Sequence, residues 1–217
     1  MLPPSELRAR ILAATRGTLP PTREHVRRRD RIWLLLALAA PLTVFFAFGG
    51  PRLAPRPPSL VVATTASGLS IAAMAVAQAI ARGRSNVGRA PGLLLVVVLL
   101  TPVALFASKL GISSVLEGAL RRWPERPGFR CLWLSLVSVL APLGCYLLAR
   151  CGTVLEHAAL RGAAAGAALG AAVWVLVDLN CPVAYAPHLL LGHVLPLLAS
   201  TAVGAGLGEP VLSLRTR

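Results

Sequence analysis

The sequence predicts an all-α protein: a polytopic membrane bundle of six transmembrane helices behind a short cytoplasmic N-terminal tail. Three observations predict it. Of 217 residues, 56% are hydrophobic and only 14% charged, whereas an ordinary soluble domain is about 25% charged. The apolar excess is aliphatic and comes in runs of about 18 residues or more with few charges, the length a bilayer core requires. The basic residues that raise the net charge to +14 gather at the ends of those runs, where Lys and Arg set membrane orientation. The lipid bilayer therefore accounts for the charge, and no direct nucleic acid binding is expected.

The chain divides into a tail (1–31), a transmembrane domain (32–208) and a second short tail (209–217). The first apolar run follows eight arginines, and no small-residue cleavage motif closes it cleanly, so it reads as a span and not as a removed leader. In "MLPPSELRARILAATRGTLPPTREHVRRRD" (1–30), Ser5 can cap a short helix with Leu7, Ile11 and Ala14 on one face and Arg8 and Arg10 beside it. About twelve residues make a marginal helix alone, so the segment would fold best against a partner. The alternative is a leader whose "HVRRRDR" holds the first span in register against anionic lipid, and the residues leave both open.

Apolar length places spans at 32–49, 60–81, 93–109, 131–149, 162–179 and 188–207. The Pro- and Arg-rich "GGPRLAPRPP" cannot continue a helix and makes the first turn; "ARGRSNVGRAPG" makes the second. With six spans both termini share a side, which carries 15 Lys and Arg against 7 on the other. This bias predicts cytoplasmic termini. In the third connection, "SSVLEGALRRW" reads as a short interfacial helix with Leu116, Leu120 and Trp123 on one face.

Pro41, Pro102, Pro142 and Pro196 each fall within a span, and "AAPLTVFF", "LTPVALFA" and "LAPLGCYL" are faintly alike. Proline frees a carbonyl that a neighbouring helix must satisfy. The fifth span opens "RGAAAGAALGAA", in which Gly162, Gly166 and Gly170 form two overlapping GxxxG steps, a signal for close backbone packing.

The mid-span positions are nearly free of ionisable residues, which argues against a transporter or metal exporter. No Walker loop, GxSxG, HExxH or CxxC appears, so neither an enzyme nor a thiol- or haem-dependent oxidoreductase is favoured, and no cofactor is expected.

"LNCPVAYAPHLLLGH" (179–193) concentrates the remaining polar chemistry. The topology puts Cys131 and Cys181 on the oxidising side, where a disulfide can form, and Cys145 and Cys151 near the inner face. Buried apolar packing is the other reading of each thiol. His188 and His193 are five apart, which on an α-helix separates them by about 140° around the axis. That is poor for a shared metal unless Cys181 or Tyr185 completes the site, so no metal is expected and each His reads as a polar contact near the interface.

The second half, "FRCLWLSLVSVLAPLGCYLLAR" followed by "LRGAAAGAALGAAVWVLVDLNCPVAYAPHLLLGHVLPLLASTAVGAGLGEPVLSLR", resembles the six-span bacterial anti-sigma factors of the NrsF type. The matching features are Arg-Cys opening span four, its mid-span Pro and closing "LAR", a Gly/Ala-rich fifth span, Cys-Pro after it, and a terminal Gly-x-Gly-x-Gly. The family commonly has an acidic residue soon after Cys-Pro and a Trp-Tyr pair in span six. Here "HLLLGHVLP" stands instead, and it looks more like the CarR type that restrains light-induced carotenoid synthesis. The resemblance implies an inner-membrane protein that sequesters an ECF-type sigma factor. It further implies that Cys131 and Cys181 belong to signal sensing; His188 and His193, close by in the sequence, are expected to tune the environment of these thiols. The tail residues Leu7, Arg8, Arg10, Ile11 and Ala14 then become the expected sigma-factor contacts.

Overall fold

The computed structural model describes residues 23–52, 56–80, 90–116, 127–150 and 156–212. It is all-helical: α1 (Arg23–Ala47), α2 (Pro58–Ala79), α3 (Pro91–Val115), α4 (Phe129–Arg150), α5 (Ala158–Asn180), and a last helix formed from α6 (Ala186–Leu189), a π-helical turn (Leu190–Val194) and α7 (Leu195–Leu212). Five helices are long and apolar enough to cross a membrane: α2, α3, α4, α5 and the composite Ala186–Leu212. The apolar part of α1, Arg31–Ala47, is shorter.

The chain separates into two compact units, Met1–Ile32 and Trp33–Arg217. Of the first, the structure describes the polar start of α1. The expected tail contacts Leu7, Arg8, Arg10, Ile11 and Ala14 lie outside the described residues. So does most of the expected interfacial helix. Its first three residues, 113–115, are instead the last turn of α3, which runs on past Lys109 because nothing before Leu116 breaks it.

Within the second unit α5 is the central helix. It is 78% buried over its apolar window and packs against α2, α3, α4 and α7. Most of its residues are Ala or Gly, which lets four neighbours approach it closely. The closest approach is to α7. A Cβ added at Gly162 would overlap the carbonyl of Gly204, one at Gly166 the carbonyl of Ser200, and one at Gly204 the carbonyl of Gly162. At Gly170 it would lie 2.7 Å from Ser200 Oγ. The Ser200 hydroxyl donates to the Gly166 carbonyl at 3.1 Å and so ties the two backbones.

The lipid-facing surfaces carry the large aliphatic side chains, among them Leu35, Val62, Leu99, Val103 and Leu140. The mid-helix prolines Pro41, Pro102 and Pro142 are buried within helices that continue through them.

Helix ends group at two ends of the bundle. Gly50, Arg52 and Arg56, the end of α3, the start of α4 and the end of α5 meet at one; Ile80, Arg150, Ala158 and Leu212 meet at the other. Because the α5–α7 contact is backbone on backbone, Gly166→Val should lower the melting temperature of the detergent-solubilised protein sharply, with a cost above the roughly 1–3 kcal/mol usual for overpacking. Gly144→Val, where an added Cβ meets nothing within 4 Å, is the control and should change it little.

Candidate functional site

Four of the chemically active side chains converge at one end of the bundle. Cys131 lies in the first turn of α4, Cys181 caps the C-terminus of α5, His188 belongs to α6 and His193 to the π-turn. Their donor atoms all lie within 4.8 Å of one another. All four are buried, at 7%, 3%, 2% and 2% exposure respectively. Cys181 Sγ is 3.1 Å from His188 Nε2, and the two imidazole centroids are 5.8 Å apart. The Trp174 ring packs beside His193 at 5.0 Å. Both thiols are free.

The local sequence explains this convergence. Pro196 has no N–H to give the carbonyl of Gly192, four residues earlier, and its ring crowds that carbonyl. The helix responds by widening: Leu195 N–H bonds to Leu190 O, a π-type step of five residues. The Gly192 carbonyl receives the Ser135 hydroxyl of α4 at 3.5 Å. The wider turn rotates the chain through fewer degrees per residue than an α-helix, which brings His193 round toward His188, their ring centroids 5.8 Å apart. The sequence argument that separated them assumed uniform α geometry, and that assumption fails here.

Two glycines let α4 reach this turn. A Cβ on Gly192 would stand 3.0 Å from Cys131 Cβ and 3.1 Å from the Gly128 carbonyl oxygen. Gly128, at φ +102°, occupies a backbone region other residues rarely enter, and its Cβ would meet His188 O at 3.0 Å.

The segment after α5 is equally constrained. Cys181 N–H bonds back to Val177 O at 2.9 Å, and Pro182 prevents the helix from continuing. Around the thiols lies an apolar cluster of Leu134, Val139, Val173, Val177 and Val183. In this setting the Cys181 thiol is held well below its ordinary range, chiefly by the hydrogen bond from Cys131 and with help from His188; burial opposes the shift.

Next to the thiols lies a charged group that sequence reasoning missed. Lys109 Nζ is 2.6 Å from Asp178 Oδ1, and Arg56 Nη1 is 4.0 Å from Asp178 Oδ2. All three residues are buried. Arg56 also donates to the carbonyls of Asp178 and Leu179 at 2.9 Å each, capping the negative end of α5. Asn180 Nδ2 donates to Gly50 O at 2.6 Å, and Arg52 N–H to Leu179 O at 2.9 Å. Arg56 and Lys109, two of the 7 basic residues that the sequence puts on the less basic side, are therefore not free loop charges but internal partners of Asp178. The only sequence signal was a cation at the edge of each of two apolar runs and an anion at the end of a third.

The remaining predicted residues fall elsewhere. Cys145 is buried in α4, apart from the cluster, and Cys151 lies outside the described residues. Gly162, Gly166 and Gly170 sit in the α5–α7 contact.

A family model described as "negative regulator of sigma F" (NrsF) matches residues 14–213. The chain belongs to the NrsF family. No curated protein and no solved structure matches it. The protein is thus a membrane-embedded member of a family of negative regulators of a sigma factor, a regulatory and not an enzymatic assignment. The match does not single out the CarR type.

Removing one partner from a buried ion pair costs about 3–5 kcal/mol. Asp178→Asn, which leaves Lys109 and Arg56 both buried without their anion, should accordingly destabilise the protein by at least that order and lower its level in membranes. Lys109→Met combined with Asp178→Asn should recover part of the loss. Thermal unfolding in detergent checks both.

Proposed function

We propose that this NrsF-family protein is an inner-membrane anti-sigma factor with six spans and cytoplasmic termini. Its tail holds an ECF-type sigma factor away from RNA polymerase until a signal reaches Cys131, Cys181, His188 and His193 on the opposite face. The observation that carries this reading is the clustering of those four buried side chains at one end of a helical bundle whose family restrains a sigma factor.

The charge distribution supports the orientation. Of the 7 basic residues assigned to the outer side, Arg56 and Lys109 are occupied by Asp178 inside the bundle. The loop charge that opposes the positive-inside bias is smaller than the count suggests. As a first span, Arg31–Ala47 gives roughly 25 Å of helix at 1.5 Å per residue. A shortfall of a few ångströms is accommodated by local thinning or by snorkelling flanks.

Moving the sigma factor from 1:99 free to 99:1 free requires about a 10⁴-fold change in affinity, roughly 5.5 kcal/mol. A conformational change must transmit that much across the bundle; degradation after the signal requires no such coupling. The likeness of "HLLLGHVLP" to the CarR type is what supports a carotenoid regulon and a light or oxidative stimulus.

The family match begins at residue 14, so Leu7, Arg8, Arg10 and Ile11 precede it and their role rests on the amphipathic pattern. Burying one aliphatic anchor is worth roughly 1.5–3 kcal/mol. Leu7→Asp with Ile11→Asp should therefore weaken sigma-factor capture from solubilised membranes more than tenfold and turn the target genes on without a signal. Full repression by a stably inserted double variant would refute the tail as the contact. For the opposite face, Cys131→Ser and Cys181→Ser should each change the induction ratio at matched protein level while leaving basal capture intact. If both ratios stay at the wild-type value, the thiols only pack.

A further inference from the structure

The four side chains at the outer end have the composition and size of a tetrahedral metal site. Two sulfurs and two imidazole nitrogens within 4.8 Å of one another surround a space close to that of a bound zinc ion. Zn–S bonds of about 2.3 Å and Zn–N bonds of about 2.0–2.1 Å set tetrahedral ligand–ligand edges of about 3.3–3.8 Å. The Cys181–His188 edge is 3.1 Å, and the widest edge needs to close by about 1 Å, within the reach of side-chain torsions. A [2Fe–2S] centre with Cys₂His₂ ligation holds its sulfur and nitrogen pairs on two different irons, which is too large for this donor set.

A second observation points to a ligand independently. His193 is 2% exposed, and neither of its ring nitrogens has a hydrogen-bond partner. A wholly buried imidazole normally finds at least one. One nitrogen lies among the other three donors, the place where a metal would satisfy it.

We propose that Cys131, Cys181, His188 and His193 bind one Zn²⁺ ion as a closed S₂N₂ site. Soft thiolates with imidazoles in tetrahedral array select zinc among common divalent ions. As each Zn–S bond forms, its thiol releases a proton to water, so that two thiolates and the dication sum to zero charge. A neutral centre suits a pocket lined by Leu134, Val177 and Val183, where an uncompensated thiolate would be costly. The ion would tie the start of α4, the end of α5 and the π-turn together. Four side chains with no open position make it a structural clamp and not a catalytic centre. A cavity of about 420 Å³ lies between residues 110–114 of α3 and the segment 184–186 that joins Cys181 to His188, which puts open space beside the site.

The proposal rests on these side chains and not on the anti-sigma reading, and its test uses no sigma factor. The full-length protein, purified in detergent, reduced and stripped with a chelator, is titrated with Co²⁺ and then Zn²⁺. The expected result is one equivalent of tetrahedral cobalt, seen as visible d–d bands with a sulfur-to-cobalt charge-transfer band. Zn²⁺ should displace it, and the zinc-loaded protein should melt at a higher temperature. His193→Gln and Cys181→Ser should each weaken binding by at least tenfold, the lower range of what even a supporting residue contributes, whereas Cys145→Ser should leave it unchanged. Octahedral cobalt, binding well below one equivalent, or binding unaltered in His193→Gln would overturn the site. Intact cobalt binding in a protein that captures no sigma factor would leave the site standing and sink the function proposed above.

Discussion

The close backbone contact between α5 and α7 is the constraint on which the rest depends. In a bilayer, water does not drive helices together, so association rests on packing and polar contacts. Gly162, Gly166 and Gly204 bring two main chains closer than any Cβ would permit, and Ser200 adds a hydrogen bond where they cross. Once α5 and α7 are fixed in register, the end of α5 delivers Asp178 and Cys181 to the level at which the π-turn preceding α7 delivers His193. A slip of one helical turn, about 5.4 Å, would separate them by more than the whole width of the cluster. The small-residue stripe thus has a consequence far from itself.

The π-turn is a second constraint, and its cause is local. Pro196 freed one carbonyl, and the chain accommodated it by widening one turn and by accepting a hydroxyl from α4. Both adjustments favour the same outcome. The wider turn rotates His193 onto the face of His188, while Ser135 and the glycine pair Gly128 and Gly192 hold α4 close enough for Cys131 to arrive. The buried Lys109–Asp178–Arg56 group works beside this, tying α3 and the segment after α1 to the end of α5.

Much of this was legible in the residues. Aliphatic run length located the five long helices, because bilayer thickness is a physical ruler, but it stopped α3 and α7 about a turn and a half short of their ends at Val115 and Leu212. The glycine spacing of 162, 166 and 170 named a packing face because nothing else in a lipid-embedded helix favours glycine at that period. Arg56 and Lys109 were misplaced because hydropathy sees a charge at the edge of a run and cannot see an anion waiting across the bundle. The His188–His193 relation was misjudged for a different reason. Angular arguments assume an unbroken 3.6-residue repeat, and a proline three residues after the second histidine was the warning that the repeat fails. Gly192 carried no signal by itself; its meaning lies in what touches it.

The site has an asymmetry that bears on how a signal could travel. Cys181 and His193 belong to the α5–α7 pair, whose backbones meet directly, whereas Cys131 comes from α4, which packs on that pair through side chains and, at Gly128 and Gly192, through backbone. Chemistry that alters the bonds among the four side chains therefore acts on the position of α4 against a nearly rigid α5–α7 pair. In the proposed orientation, the far end of α4 is Arg150, which donates to Ile80 O at 3.4 Å, and the far end of the pair is the contact of Ala158 with Leu212. Both lie on the face where a sigma factor would be held. Under that proposal the joint with α4 lies on the sensing side and the far ends of the helices on the binding side. A displacement at Cys131 would then be carried along α4 to the opposite face, because a close-packed interior transmits strain and does not absorb it.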